Sequence, residues 1–169
     1  MKKTNLFKLV IFALAAIFAT AALAGCACGG DNDGEKPEVN GTEKTWNRIT
    51  VFVPEGMELT GSADGSTDKD IVYVQDSSEN AKYFLITLCT EQSAKDDVEA
   101  AKKAFSGEDV KFKAGKNEWT GVKYKLAGEA DCFNLYANIN GQTVLVTGSR
   151  YAHDSAEAKA VLGTIKIAD

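Results

Sequence analysis

Cys132-Phe133-Asn134-Leu135-Tyr136-Ala137-Asn138-Ile139-Asn140-Gly141-Gln142-Thr143-Val144-Leu145-Val146-Thr147 is the stretch on which the fold turns. Phe133, Leu135, Ala137 and Ile139 fall on one face of a period-two strand over residues 132–139. Asn140-Gly141 then supplies two residues that tolerate positive φ, the strongest short hairpin signal, and the chain returns over 142–147. Working outward, residues 118–126 set Trp119, Gly121, Lys123 and Lys125 against Thr120, Val122, Tyr124 and Leu126. Residues 83–89 set Phe84, Ile86 and Leu88 against Tyr83, Leu85, Thr87 and Cys89. Further upstream, 49–53 is a strand closed by Pro54, and 71–74 is a short apolar run. Strands with apolar residues on both faces need cover on both sides.

Two helices can supply that cover. Ser93-Ala94-Lys95-Asp96 has the spacing of a near capping box, and Ala94, Val98, Ala101 and Phe105 follow at helical intervals before Gly107. The second helix starts at Asp154 or Ser155, buries Ala156, Ala160 and Val161, and ends near Gly163. The expected order is β-β-β, helix, three or four antiparallel strands, helix. That is an α+β domain, an antiparallel sheet flanked by two helices.

The domain occupies residues 45–169, long enough to bury a core without metal or disulfide. Residues 27–44 hold one bulky apolar side chain, Val39, among Gly, Asp, Glu and Pro. Such a segment cannot offset its ordering entropy, and it reads as a flexible acidic tether with an r.m.s. reach of roughly 23–25 Å. Before it, Lys2, Lys3 and Lys8 precede a run from residue 9 to 24 that is apolar except for Thr20. At about 1.5 Å per residue the run reaches roughly 24 Å, short of a hydrocarbon core of roughly 30 Å. The expectation is a signal helix over residues 1–25.

Leu23-Ala24-Gly25-Cys26, directly after that run, resembles the lipobox of bacterial lipoprotein signal peptides. The resemblance implies cleavage between Gly25 and Cys26 and a thioether diacylglycerol on Cys26, with fatty acyl chains such as palmitate. Two or more chains anchor stably where one does not. Loss of residues 1–25 takes three lysines and no acid from the 19 basic and 24 acidic side chains, so the charge moves from −5 to −8. A chain this acidic does not bind nucleic acid by phosphate neutralisation.

Chemistry-bearing residues are scarce. The composition has one His and four Cys, which excludes a two-histidine metal site. Gly61-Ser62-Ala63-Asp64-Gly65 does not place its glycines as a nucleophile elbow requires. Neither nucleotide-binding glycine motif occurs. Two acidic loops, 31–34 and 64–70, fall short of a calcium loop. In the first, Gly29 and Asn40 occupy the first and last ligand positions; in the second, Lys69 replaces the required Gly and Gln75 the terminal Glu. The reading therefore assigns no catalytic residue, no metal and no cofactor. Lys111, Lys113, Lys116, Lys123 and Lys125 are the basic concentration, and Lys111, Lys113, Lys123 and Lys125 with Trp46 and Trp119 form the candidate binding surface. Cys89 and Cys132 each sit opposite the more apolar face of their strand, so they share one face of the sheet if the two apolar faces look the same way. Whether they meet depends on strand order, which the sequence leaves open.

Phe52-Val53-Pro54-Glu55-Gly56-Met57, with the helix, Asn-Gly hairpin and closing helix that follow, resembles the PsbP-like α/β/α sandwich over residues 47–168. That superfamily holds photosystem extrinsic subunits and small bacterial lipoproteins, and the likeness carries over no catalytic residue. The expectation is a non-enzymatic binding or accessory domain, held by lipid on the extracytoplasmic face of a bacterial membrane. Its partner there is an envelope protein or cell-wall component. The competing readings are a small surface hydrolase using His153 and a purely structural subunit of a membrane complex.

Overall fold

The structure is a computed structural model that describes residues 39–61, 70–79 and 81–168. In chain order these form β1 (Gly41–Trp46), β2 (Ile49–Pro54), β3 (Met57–Gly61), β4 (Ile71–Asp76), β5 (Tyr83–Cys89), α1 (Glu91–Phe105), β6 (Glu108–Ala114), β7 (Asn117–Leu126), β8 (Ala130–Ile139), β9 (Gln142–Ser149), α2 (Ala156–Thr164) and β10 (Lys166–Ile167). The lipobox positions Leu23, Ala24, Gly25 and Cys26, the tether up to residue 38 and the acidic loop 31–34 lie outside the described residues, as do positions 64–69 of the second loop.

The β8–β9 hairpin forms as the alternation requires. Ile139 faces Gln142, and Asn140 and Gly141 take φ of 51° and 78°, the type I′ geometry that matches strand twist. Around it the seven strands run β3-β4-β5-β9-β8-β7-β6, antiparallel throughout. One face, here the inner one, collects Val72, Val74, Phe84, Ile86, Leu135, Val144, Val146 and Trp119 in a single core cluster. Gly148 lies between Phe84 and Phe133, opposite each, and a Cβ there would overlap the Phe133 ring. The two phenylalanines approach with centroids 6.2 Å apart.

The inner face is covered by α2 and by a second, three-stranded sheet, β1-β2-β10. Ile49, Val51, Val53 and Ile167 of that sheet join Ala158, Val161 and Leu162 of α2 in the core. The outer face carries α1, which lies over β7, β8 and β9 with Ala94 and Ala101 buried. The expected antiparallel sheet with two helices is thus present. The sheets are more extensive than a simple sandwich, because part of the inner cover is itself a sheet.

Local starts and stops differ from expectation in two places. α1 is capped by Thr90, whose Oγ1 accepts from the Ser93 backbone N–H at 3.2 Å, so the helix opens a turn earlier than the Ser93 reading. A Thr at that position satisfies an orphan donor as well as Ser does. It ends at Ser106 in the left-handed region, with the Gly107 N–H bonded to Lys102 O. The second correction is at the tether, whose expected boundary at residue 44 is too late. Residues 41–44 belong to β1, which is exposed but paired along its length with β2. Composition alone could not show a strand held by backbone bonds. α2 begins as expected, with Ser155 Oγ accepting from Ala158 N–H at 3.2 Å.

Candidate functional site

The residues proposed as a binding surface do not form one. Trp119 is 1% exposed and lies in the core against the strand neighbour Phe112. Its Nε1 has no hydrogen-bond partner. It is a core residue, because Trp119 and Gly121 share the inner face with Leu135 and Ala137. The lysines divide between faces. Lys111 and Lys113 lie opposite Thr120 and Glu118, on the outer face, whereas Lys123 and Lys125 lie on the inner-face side, beyond the core. Lys123 and Lys125 face Glu108 and Asp131 directly across the ladder and pair with them at 3.3 and 2.6 Å. Alternation put the pairs in register correctly, but it could not show the carboxylates brought in from β6 and β8. Trp46 does remain available: it is 39% exposed at the end of β1, and its indole lies over Gly61 of β3.

Where the start of β1 meets the β2–β3 turn, a cleft of about 350 Å³ is lined by Thr42, Lys44, Val53, Glu55 and Met57. Met57 Sδ accepts from the Tyr151 hydroxyl at 3.8 Å. Tyr151 is stacked on Phe84 at 4.2 Å, and its burial raises the phenol pKa well above the ordinary value. The cleft is at the small end for a ligand pocket.

His153 sits in the turn before α2 with its side chain 16% exposed, its ring edge-on to Phe112 at 5.4 Å. Nδ1 is 3.8 Å from Asp154 Oδ1, too long for a hydrogen bond. Among the described residues no hydroxyl or thiol hydrogen-bonds to the imidazole, so the nucleophile–base pair of the hydrolase reading is not assembled there.

The cysteines share the outer face, as the alternation implied, but β9 separates their strands. Cys89 faces Thr143 and Cys132 faces Ser149, six residues along the same strand, roughly 20 Å apart at strand rise. That is far outside the Cα window of about 4.4–6.8 Å for a bridge, and both are free thiols. Burial and the neighbouring Asp97 carboxylate raise the Cys89 pKa above the ordinary thiol value.

A surface the sequence reading did not single out is the outer face of β3, β4 and β5. Ile71, Tyr73, Tyr83, Leu85 and Thr87 alternate onto it and are half-buried. Leu85 lies between Tyr73 on β4 and Thr147 on β9, and Tyr73 meets Tyr83 edge to face at 5.7 Å. No described helix covers these strands on this side, since α1 lies over β7, β8 and β9. At the far end of α1, Phe105 (42% exposed) stacks on Tyr124 at 4.7 Å. Tyr124 donates to Asn134 Oδ1 at 3.0 Å, and burial pushes its pKa up to about 12. The arrangement leaves aromatic and apolar side chains half-buried among the described residues of this face.

No protein-family model matches the chain, and a search of curated proteins returns no match. Among solved structures the chain is similar to cyanobacterial PsbP (CyanoP) from Synechocystis sp. PCC 6803, a solution structure, at 13% sequence identity and a TM-score of 0.48. The match covers 84% of this chain and 98% of that one. The architecture described above rests on the strand pairings themselves.

Proposed function

We propose that this chain is a lipid-anchored, non-catalytic binding domain of PsbP-like type on the extracytoplasmic face of a bacterial membrane. It holds an envelope protein or a cell-wall component on the half-open outer face of its sheet. The observation that carries the anchoring is Leu23-Ala24-Gly25-Cys26 directly after an apolar run too short to span a bilayer. The binding role is supported by Ile71, Tyr73, Tyr83 and Leu85, apolar and aromatic residues left half-buried on a sheet whose other faces are covered. The membrane is reached through the lipid alone, since an acidic chain has no polybasic patch for anionic headgroups.

The test is metabolic labelling with an alkyne fatty acid in a bacterial host. The wild-type chain takes up label and loses its first 25 residues, and Cys26→Ser does neither. Label retained by Cys26→Ser would overturn the anchor.

A further inference from the structure

Starting from the binding reading above, we infer that the open half of the outer face receives a cationic amphipathic helix of a partner protein, laid alongside α1. From β9 to β3 are three strand spacings, roughly 14 Å, which takes one helix of about 10–12 Å diameter. The floor of that space is Ile71, Tyr73, Tyr83 and Leu85, half-buried and contiguous across β4 and β5.

α1 forms one wall of this space. Ser93, Asp97, Ala100 and Ala104 recur at helical spacing along one flank of α1, and all four are exposed. This flank faces the open half: by helical spacing it lies across α1 from Lys102, which pairs at 2.6 Å with Asp109 of β6 at the opposite sheet edge, and Asp97 lies on the side of Cys89 of β5, whose pKa it helps to raise. Ala100 and Ala104 let a second helix approach closely, since small side chains shorten the interaxial distance.

Charge chooses the occupant. Asp97 stands on the α1 wall, and Glu58 stands on the outer face of β3 at the other border. Lys82, the nearest cation along β5, is turned to the Tyr151 ring at 5.0 Å, and that ring packs on Phe84 of the inner face. The mature chain would carry −8. A helix with an apolar stripe for Leu85 and the tyrosines, and Lys or Arg along both margins, complements this groove.

The test uses the full chain in phosphatidylcholine nanodiscs, with empty nanodiscs as the blank. The probes are an 18-residue Leu–Lys amphipathic helix and its Leu–Glu counterpart, followed by fluorescence anisotropy. The Leu–Lys helix binds at least tenfold more tightly. Leu85→Glu lowers that affinity at least tenfold, and the exposed charge reversals Glu58→Lys with Asp97→Lys, which leave the fold intact, invert the preference between the probes. Equal affinity for the two helices, or indifference to the charge reversals, overturns the inference. A photocrosslink from Tyr83 in cells to a partner lacking a basic helix also overturns it, and leaves the binding reading standing. Fatty-acid label retained by Cys26→Ser overturns the anchor without touching this result.

Discussion

Leu145 and Leu85 stand on neighbouring strands and on the same face of one sheet. Leu145 is 5% exposed, while Leu85 remains half-buried. The same residue type at equivalent positions meets two environments because α1 spans only the β7–β9 half of the outer face. On that half Val122 and Leu145 are buried, and α1 lies over their strands with its small residues Ala94 and Ala101 turned inward. On the other half the alternation continues with Tyr73, Tyr83 and Leu85, and no described element of the chain closes it. One helix cannot cover seven strands, and the apolar remainder is where a partner gains most from burial.

The largest effects belong to covered positions. Trp119→Ala opens a cavity in the inner layer and costs about 3–5 kcal/mol, and Leu145→Ala costs about 2–5 kcal/mol. Leu85→Ala costs no more than about 1 kcal/mol in the isolated chain. Urea unfolding of the three variants breaks the comparison if Leu85→Ala matches Leu145→Ala.

Next comes the boundary of α1. Tyr124→Phe leaves the buried Asn134 Oδ1 without its donor and costs about 1–3 kcal/mol. The Tyr124 pKa is raised in the fold to about 12, so its contribution is complete below the unfolded value of about 10 and is lost as pH rises through 12. Thermal midpoints therefore fall between about pH 10 and 12, and fall less steeply in Tyr124→Phe, which removes one of the raised groups. The smallest effect is at the cap. Thr90→Ala removes the acceptor for the Ser93 N–H and costs about 1 kcal/mol, read as lower amide protection in the first turn of α1.

Most of the sheet was legible because its central strands carry strict alternation. Residues 83–89 match β5 residue for residue, and the Asn140-Gly141 turn fixed the register of β8 on β9. β1 was not legible: Gly-Thr-Glu-Lys-Thr-Trp has no apolar face, and its strand exists through backbone pairing with β2. β3, with only Met57 and Leu59 as bulky apolar residues, is silent for the same reason. The site fared worse than the fold. Trp119 alternates with lysines and so looks like a surface residue, yet Gly121 beside it marks the crowded inner layer, where a Cβ would strike the β8 backbone. The open face had a signal, the mixed second faces of 71–74 and 83–89. What the sequence withheld was which strands α1 would cover, a matter of sheet order.

The claim that the uncovered half is the working surface is tested most directly by site-specific photocrosslinking in intact cells that produce the full chain. The crosslinking residue is placed at Leu85 and, in a parallel strain, at the exposed Lys159 of α2. The account predicts a discrete crosslinked partner from position 85, lost when Asp97→Lys is added, and none from position 159. Equal capture from both positions, or capture from position 159 alone, would contradict it.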